Sequence, residues 1–282
     1  TQLQDAVPMT LGQEFNAFAI MMGEDLSLLS MTKNLLAQMN LGATAIGTGI
    51  NSSPKYSPLV KNKLFEVTNK PFVTSCDLVE ATQDTSTFVH VSGVLKAIAT
   101  KVSKICNDLR LLSSGPRTGM NEINLPAMQA GSSIMPGKVN PVIPEVVNQV
   151  AFQVIGNDVT ISMASEGGQL QLNVFEPVIA YNLFQSISMM CNAFETLAYK
   201  CVDGITANEE VCKHKVLNSI GLVTALNPLI GYQNSTQVAK EALIENRSVY
   251  DIVLEKELLT KKQLDEFLKP ENMVKPCLNG FS

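Results

Sequence analysis

Only two histidines occur among the 282 residues, and the six cysteines, at 76, 106, 191, 201, 212 and 277, never form a Cys-x-x-Cys pair. Zinc-ligand spacing is therefore missing. Nothing resembles a clustered metal site either, so neither a metal nor any other cofactor is expected. No apolar run is long enough to span a bilayer, and no signal peptide is visible. A cytoplasmic location follows as an expectation. Positive charge is not in excess: 21 Lys and Arg face 26 Asp and Glu, for a net charge of -5. That balance gives no reason to expect nucleic acid or an anionic membrane as a partner. Internal repeats and low-complexity segments are absent, and period-two strand patterns are nearly so. Most cysteines sit in apolar helical settings such as Lys104-Ile105-Cys106, which predicts buried free thiols in a reducing compartment.

What is present is apolar and helical. At 45% apolar residues, the length predicts one large or two ordinary domains with a substantial core. Thr10 and Gln13 read as a capping box opening a helix to about Asn40. Phe15, Phe18, Met22, Leu26, Leu29 and Leu36 mark its apolar face, and Gly42 is a natural stop. Residues 51–86 contain Pro54, Pro58 and Pro71, so short helices and loops are expected there. Val91, Leu95, Ile98, Val102, Ile105, Leu109 and Leu112 alternate by four and three residues, the seam of a long helix packed on others. A further helix is predicted from Pro144 to about Met163, with Val147, Val150, Val154 and Ile161 on one side. Another spans about Val174 to Cys201, with Leu183, Ile187, Met190, Phe194, Leu197 and Cys201 in heptad spacing. Four such helices make an all-α long-helix bundle. Their apolar residues cover more than one face, which predicts partner subunits. Near residue 205 the helices become shorter and more charged. Thr206 to Glu209 and Thr260 to Gln263 read as capping boxes, with breaks at Pro228, Gly231 and Pro270. The expected division is 1–210 for the bundle and 211–282 for a small helical C-terminal domain.

One stretch fits neither pattern. Residues 131–141, Gly-Ser-Ser-Ile-Met-Pro-Gly-Lys-Val-Asn-Pro, are too rich in Gly and Pro for a helix or strand. Most loops of this composition are connectors. This one also brings two hydroxyls, a cation and an amide to the start of a helix, whose unpaired N–H groups favour anions. It is not a phosphate-binding P-loop, because the upstream glycine spacing and the hydroxyl residue after Lys138 are missing.

The loop resembles the signature loop of the fumarase/aspartase superfamily, whose members eliminate a group β to a carboxylate to give fumarate. The resemblance extends outward through 121–126 and 144–149 and covers essentially the whole chain. Those flanks are most similar to the aspartate ammonia-lyase branch. It implies the L-aspartase-like fold, a homotetramer whose central helices share one bundle, and active sites assembled from several subunits. The chain is similar to roughly the C-terminal three-fifths of family members, and on its own is expected to be inactive.

The implied reaction removes ammonia from L-aspartate reversibly, through an aci-carboxylate that carries two negative oxygens. Such an intermediate needs donors around the carboxylate and a base in reach of the neighbouring carbon. By resemblance Ser132 is that base. Ser133 donates to the carboxylate that gathers charge, Lys138 and Asn140 hold the other one, and Met135 packs the loop shut. A serine here could equally cap a turn, and Lys138 could be a solvated loop residue. Thr1 and Gln2 match a second block that lines the substrate pocket. Fumarases usually carry His at the second position, paired with a Glu that matches Glu145. Gln cannot titrate, so the hydratase set is incomplete and ammonia is favoured over water as leaving group. The alternatives are a class II fumarate hydratase and a catalytically silent structural member.

Overall fold

A computed structural model describes residues 1–132 and 134–274. The chain folds into two compact units. One comprises residues 19–111 and 125–205; the other comprises 1–18, 112–124 and the chain from 206 onward. In chain order the elements are α1 (Leu11–Leu35), β1 (Gln38–Met39), α2 (Tyr56–Thr68), β2 (Val73–Thr74), α3 (Glu80–Gln83), α4 (Ser86–Leu112), β3 (Ile123–Asn124), α5 (Val142–Glu166) and α6 (Glu176–Lys200). After one 3-10 turn come β4 (Thr206–Ala207), α7 (Glu209–Asn218), α8 (Leu222–Glu245), α9 (Val249–Glu255), α10 (Lys261–Phe267) and α11 (Pro270–Met273). The all-α bundle expected from the sequence is the fold observed.

The core of the first unit lies between α4, α5 and α6. Val91, Leu95, Ile98 and Ala99 meet Ala151, Val154 and Ile161, and Ile179, Leu183 and Met190 close the third side, with Met22 of α1 packed against them. Burying each Ile, Leu or Val contributes about 1.5–3 kcal/mol, so this seam dominates the unit's stability. The α4 seam is buried from Val91 to Leu109, and Leu112 is half-buried. On α6, Leu183, Met190 and Leu197 are buried, as is Cys201 just past its end, but Ile187 is 42% exposed. Heptad spacing placed Ile187 in the seam; the buried ridge runs instead through Ser186.

Two expectations for α1 are corrected. The helix stops at Leu35, because residues 37–39 turn to pair with the segment at 73–75. Val73 N–H donates to the Ala37 carbonyl at 2.8 Å, and Ser75 N–H to that of Met39 at 3.0 Å. Its buried ridge passes through Phe18, Asp25 and Thr32, whereas Leu26, Leu29 and Leu36 are exposed. Asp25 is buried because Lys101 of α4 reaches it at 2.6 Å, and charge pairing overrides hydropathy there. Two cysteines are also corrected: Cys106 and Cys201 are buried, but Cys76 and Cys191 are exposed. Cys277 lies outside the described residues.

The second unit has its own core. Leu222, Leu226 and Val238 of α8 pack with Ile252 of α9 and with Leu264 and Phe267 of α10. Within α8, Pro228 is followed by Gly231 at φ 77°, ψ 160°, where the helix kinks. The Thr10 box forms in both directions, at 3.0 and 3.1 Å, and so does the Thr260 box. The box expected at Thr206 does not form. Thr206–Ala207 pairs antiparallel with Ile123–Asn124, and α7 starts later, after Asn208, with no side-chain cap.

Candidate active site

The 131–141 loop is a small closed ring. Ser132 N–H donates to the Lys138 carbonyl at 2.8 Å. Gly131 at φ 105° and Gly137 at φ 75° make the two bends, in backbone conformations that other residues adopt only with strain. Inside the ring, Ile134 N–H points at Ser132 Oγ, 3.1 Å away. Lys138 Nζ donates to Asn140 Oδ1 at 2.9 Å. Ser132 and Asn140 are half-buried, and Lys138 is exposed. Helix α5 begins at Val142 with no side chain capping it. Glu145 sits in its first turn, its N–H donating to the Pro141 carbonyl at 3.2 Å.

The structure therefore brings Ser132, Lys138 and Asn140 onto one loop. Met135 does not pack that loop shut in this chain: it is 52% exposed, beside Ile134 at 86%. Ser133 lies outside the described residues. Thr1 and Gln2 belong to the other unit. There, Gln2 and Leu3 take positive φ of 48° and 67°, and Gln4 N–H donates to the Thr1 carbonyl at 2.9 Å. The chain then runs from Leu3 to Val7 along a groove of about 890 Å³, whose other wall includes Thr224, Asn227, Tyr232 and Ser235 of α8.

Sequence reasoning missed the polar residues buried along α5, of which Asn148 is nearest the loop. Asn148, two turns into α5, is buried. Its amide donates to the Ser103 carbonyl at 3.0 Å, to Ser103 Oγ at 2.8 Å and to Asn107 Oδ1 at 3.1 Å. Its oxygen accepts from Arg110 at 3.1 Å. Further along α5, Asp158 accepts from Ser92 Oγ at 2.7 Å and from Lys96 Nζ at 2.5 Å. Asn157 donates to Gln185 and Ser186 of α6, both at 3.0 Å. The available signal was polar residues at seam positions of an apolar helix. In the same bundle, burial pushes the Cys106 thiol up to about 12, with Cys201 adding to the rise and Arg110 opposing it. Burial likewise raises Cys201 to about 11. Both thiols stay protonated near neutral pH, which removes them as nucleophiles.

In the second unit, Glu122 beside β3 pairs with Lys215 of α7 at 3.1 Å. Asn208 donates to the Asn121 carbonyl at 3.0 Å. These bonds clamp the chain just before it enters the segment that leads to the loop.

Comparison with known proteins places the chain. Residues 1–156 match a family described as "Lyase", and residues 222–275 match "Fumarase C C-terminus". An aspartate ammonia-lyase of Helicobacter pylori is 65% identical over 276 residues, covering 98% of this chain and 59% of that protein. The chain thus spans less than two-thirds of the length of this relative. Among solved structures, a fumarate lyase:delta crystallin of Brucella melitensis is 52% identical with a TM-score of 0.94, covering 98% of this chain and 60% of that one. A class II fumarase of Schistosoma mansoni is 34% identical with a TM-score of 0.90, covering 97% of this chain and 60% of that one.

Proposed function

Because the chain belongs to the fumarase/aspartase superfamily of lyases, we propose that it carries the base-bearing loop of an aspartate ammonia-lyase. The reading is supported above all by the ring in which a backbone N–H already points at Ser132 Oγ. A serine hydroxyl is a weak acid, and its alkoxide must be stabilised before it can act as a base. The Ile134 N–H, the open N-terminus of α5 and the Lys138 charge all favour the anion.

In the proposed reaction, Ser132 Oγ takes a proton from the carbon beside one substrate carboxylate. The electron pair left behind moves into that carboxylate, giving the aci-carboxylate. Hydrogen-bond donors around it, Ser133 among them, hold the developing charge. The pair then returns to form the carbon–carbon double bond as the C–N bond breaks, releasing ammonia and fumarate. Lys138 and Asn140, already bonded to each other, hold the other carboxylate. Thr1 and Gln2 line the pocket, and Met135 is covered when subunits assemble. The assembly is a cytoplasmic homotetramer with shared active sites, and 211–282 serves as its small C-terminal domain. No cofactor enters the scheme.

A second reading, hydration of fumarate to L-malate, is favoured by the likeness to the Schistosoma class II fumarase. Gln2 argues against it, since that position then lacks a titrating group. A silent structural role is disfavoured by the presence of Ser132, Lys138 and Asn140 together. Following fumarate absorbance with L-aspartate and, separately, with L-malate decides among the three, using the full-length protein. Fumarate from aspartate alone is expected. Fumarate from malate alone transfers the assignment to the hydratase, and none from either supports the structural member.

A further inference from the structure

The apolar seam of α5 does not fix its own position along the bundle. Val147, Val154 and Ile161 repeat every seven residues with nearly the same side chain. A slide by one heptad, about 10 Å along the axis, would exchange one branched aliphatic residue for another. The polar members of the seam forbid that slide. It would bring Asp158 to the level of Ala151 or Asn148 to the level of Ile155, away from every partner each now has. A buried polar group without a partner costs far more than a mismatched methyl. Single polar residues in helical seams set register in this way.

Two of these residues hold α5 to the same neighbour. Asn148 is bonded to Ser103, Asn107 and Arg110, and Asp158 to Ser92 and Lys96, all on α4. The two helices run antiparallel, and the pins stand about 15 Å apart along α5. Asn148 is the pin next to the loop, six residues past the start of the helix. From the geometry we infer that Asn148 is a positioning residue for the reaction. It fixes the level at which α5 presents its open N-terminus, and with it Lys138 and Asn140, to the substrate. It touches no substrate and acts only through the helix.

This inference rests on the proposed function for its readout. With Asn148 replaced, Asp158 still forbids a full slide, but the end of α5 next to the loop loses its pin, and a misplacement of about 1 Å there can cost about 100-fold in turnover. In the full-length protein, Asn148→Leu is expected to lower kcat about 10-fold to 100-fold. The control is Asn157→Leu, which removes a comparable set of buried bonds in the middle of α5, directed at α6. It is expected to lower the melting temperature similarly while keeping kcat within about threefold, because both pins to α4 remain. Should Asn148→Leu fail to fold, Ser103→Ala removes one acceptor and leaves the others. It should give a smaller loss in kcat, in the same direction. Equal kcat losses for Asn148→Leu and Asn157→Leu at equal destabilisation overturn the inference, as does full kcat in Ser103→Ala. If the wild-type protein turns over malate rather than aspartate, the functional reading fails. The same comparison on malate then judges the register role separately.

Discussion

Replacing Gly221 with alanine should disturb, from a distance, the segment carrying Thr1 and Gln2, the residues proposed to line the substrate pocket. The backbone at Gly221 is ordinary, at φ −56°, ψ −20°, so conformation alone permits any residue. Contact does not. A Cβ there would lie 1.8 Å from the Ala6 carbonyl oxygen and 2.8 Å from its carbon. The carbonyl must retreat by roughly 1.6 Å to reach ordinary van der Waals contact. Residues 3–7 move with it, and the 3.4 Å bond from Ser219 Oγ to Asp5 weakens. Overpacking of this kind costs about 1–3 kcal/mol. Thr1 and Gln2 lie a few residues upstream of the displaced carbonyl, so KM for aspartate should rise several-fold while Ser132 chemistry is less affected. Thermal unfolding and steady-state kinetics of the full-length protein measure both effects. Gly12→Ala is the control, since its Cβ would meet only Thr10 Oγ1 at 3.7 Å. A Gly221→Ala protein with wild-type melting temperature and KM would refute the argument that this contact positions the pocket block.

Three further expectations follow from the same geometry. Lys138→Ala should raise KM and also lower kcat, because a cation facing a carboxylate acts in both the ground and the transition state. Unchanged kinetic constants would make Lys138 a solvated loop residue. Thiol reagents at neutral pH should modify Cys76 and leave Cys106 and Cys201 untouched until unfolding. Because burial raises Cys106 to about 12 from 9.0, its stabilising effect is complete below pH 9 and is lost as pH rises toward 12. Labelling of Cys106 in the native protein at neutral pH would contradict its burial. The chain by itself should associate yet form no fumarate from aspartate. Exposed apolar residues such as Phe152, Val159 and Met163 on α5 and Phe184 and Ile187 on α6 need covering. Sedimentation as a well-behaved monomer, or fumarate production, would each overturn half of that expectation.

The sequence makes local features legible where their causes are local. The Thr10 and Thr260 boxes need only residues three apart, and the α4 seam only its own periodicity. The Thr206 box fails because a partner 82 residues away, Asn124, claims the same backbone. The end of α1 is set by a segment near Val73 in the same manner. Leu26, Leu29 and Leu36 read as core by hydropathy, yet the buried ridge of α1 goes through Asp25, whose burial depends on Lys101 of another helix. The loop shows the same division. Its glycines at 131 and 137 and its closing proline are visible as breakers. The N–H aimed at Ser132 and the polar pins beneath α5 depend on three-dimensional closure, which no spacing reveals.

Ser132→Ala tests the central claim most directly. Fumarate formation from L-aspartate is followed by absorbance in the full-length protein, wild type against variant, with sedimentation confirming the same assembly. Losing an essential base costs about 10²–10⁴-fold or more, so the variant should be nearly inactive while the oligomer persists. Near-normal turnover by Ser132→Ala would contradict the assignment of the base.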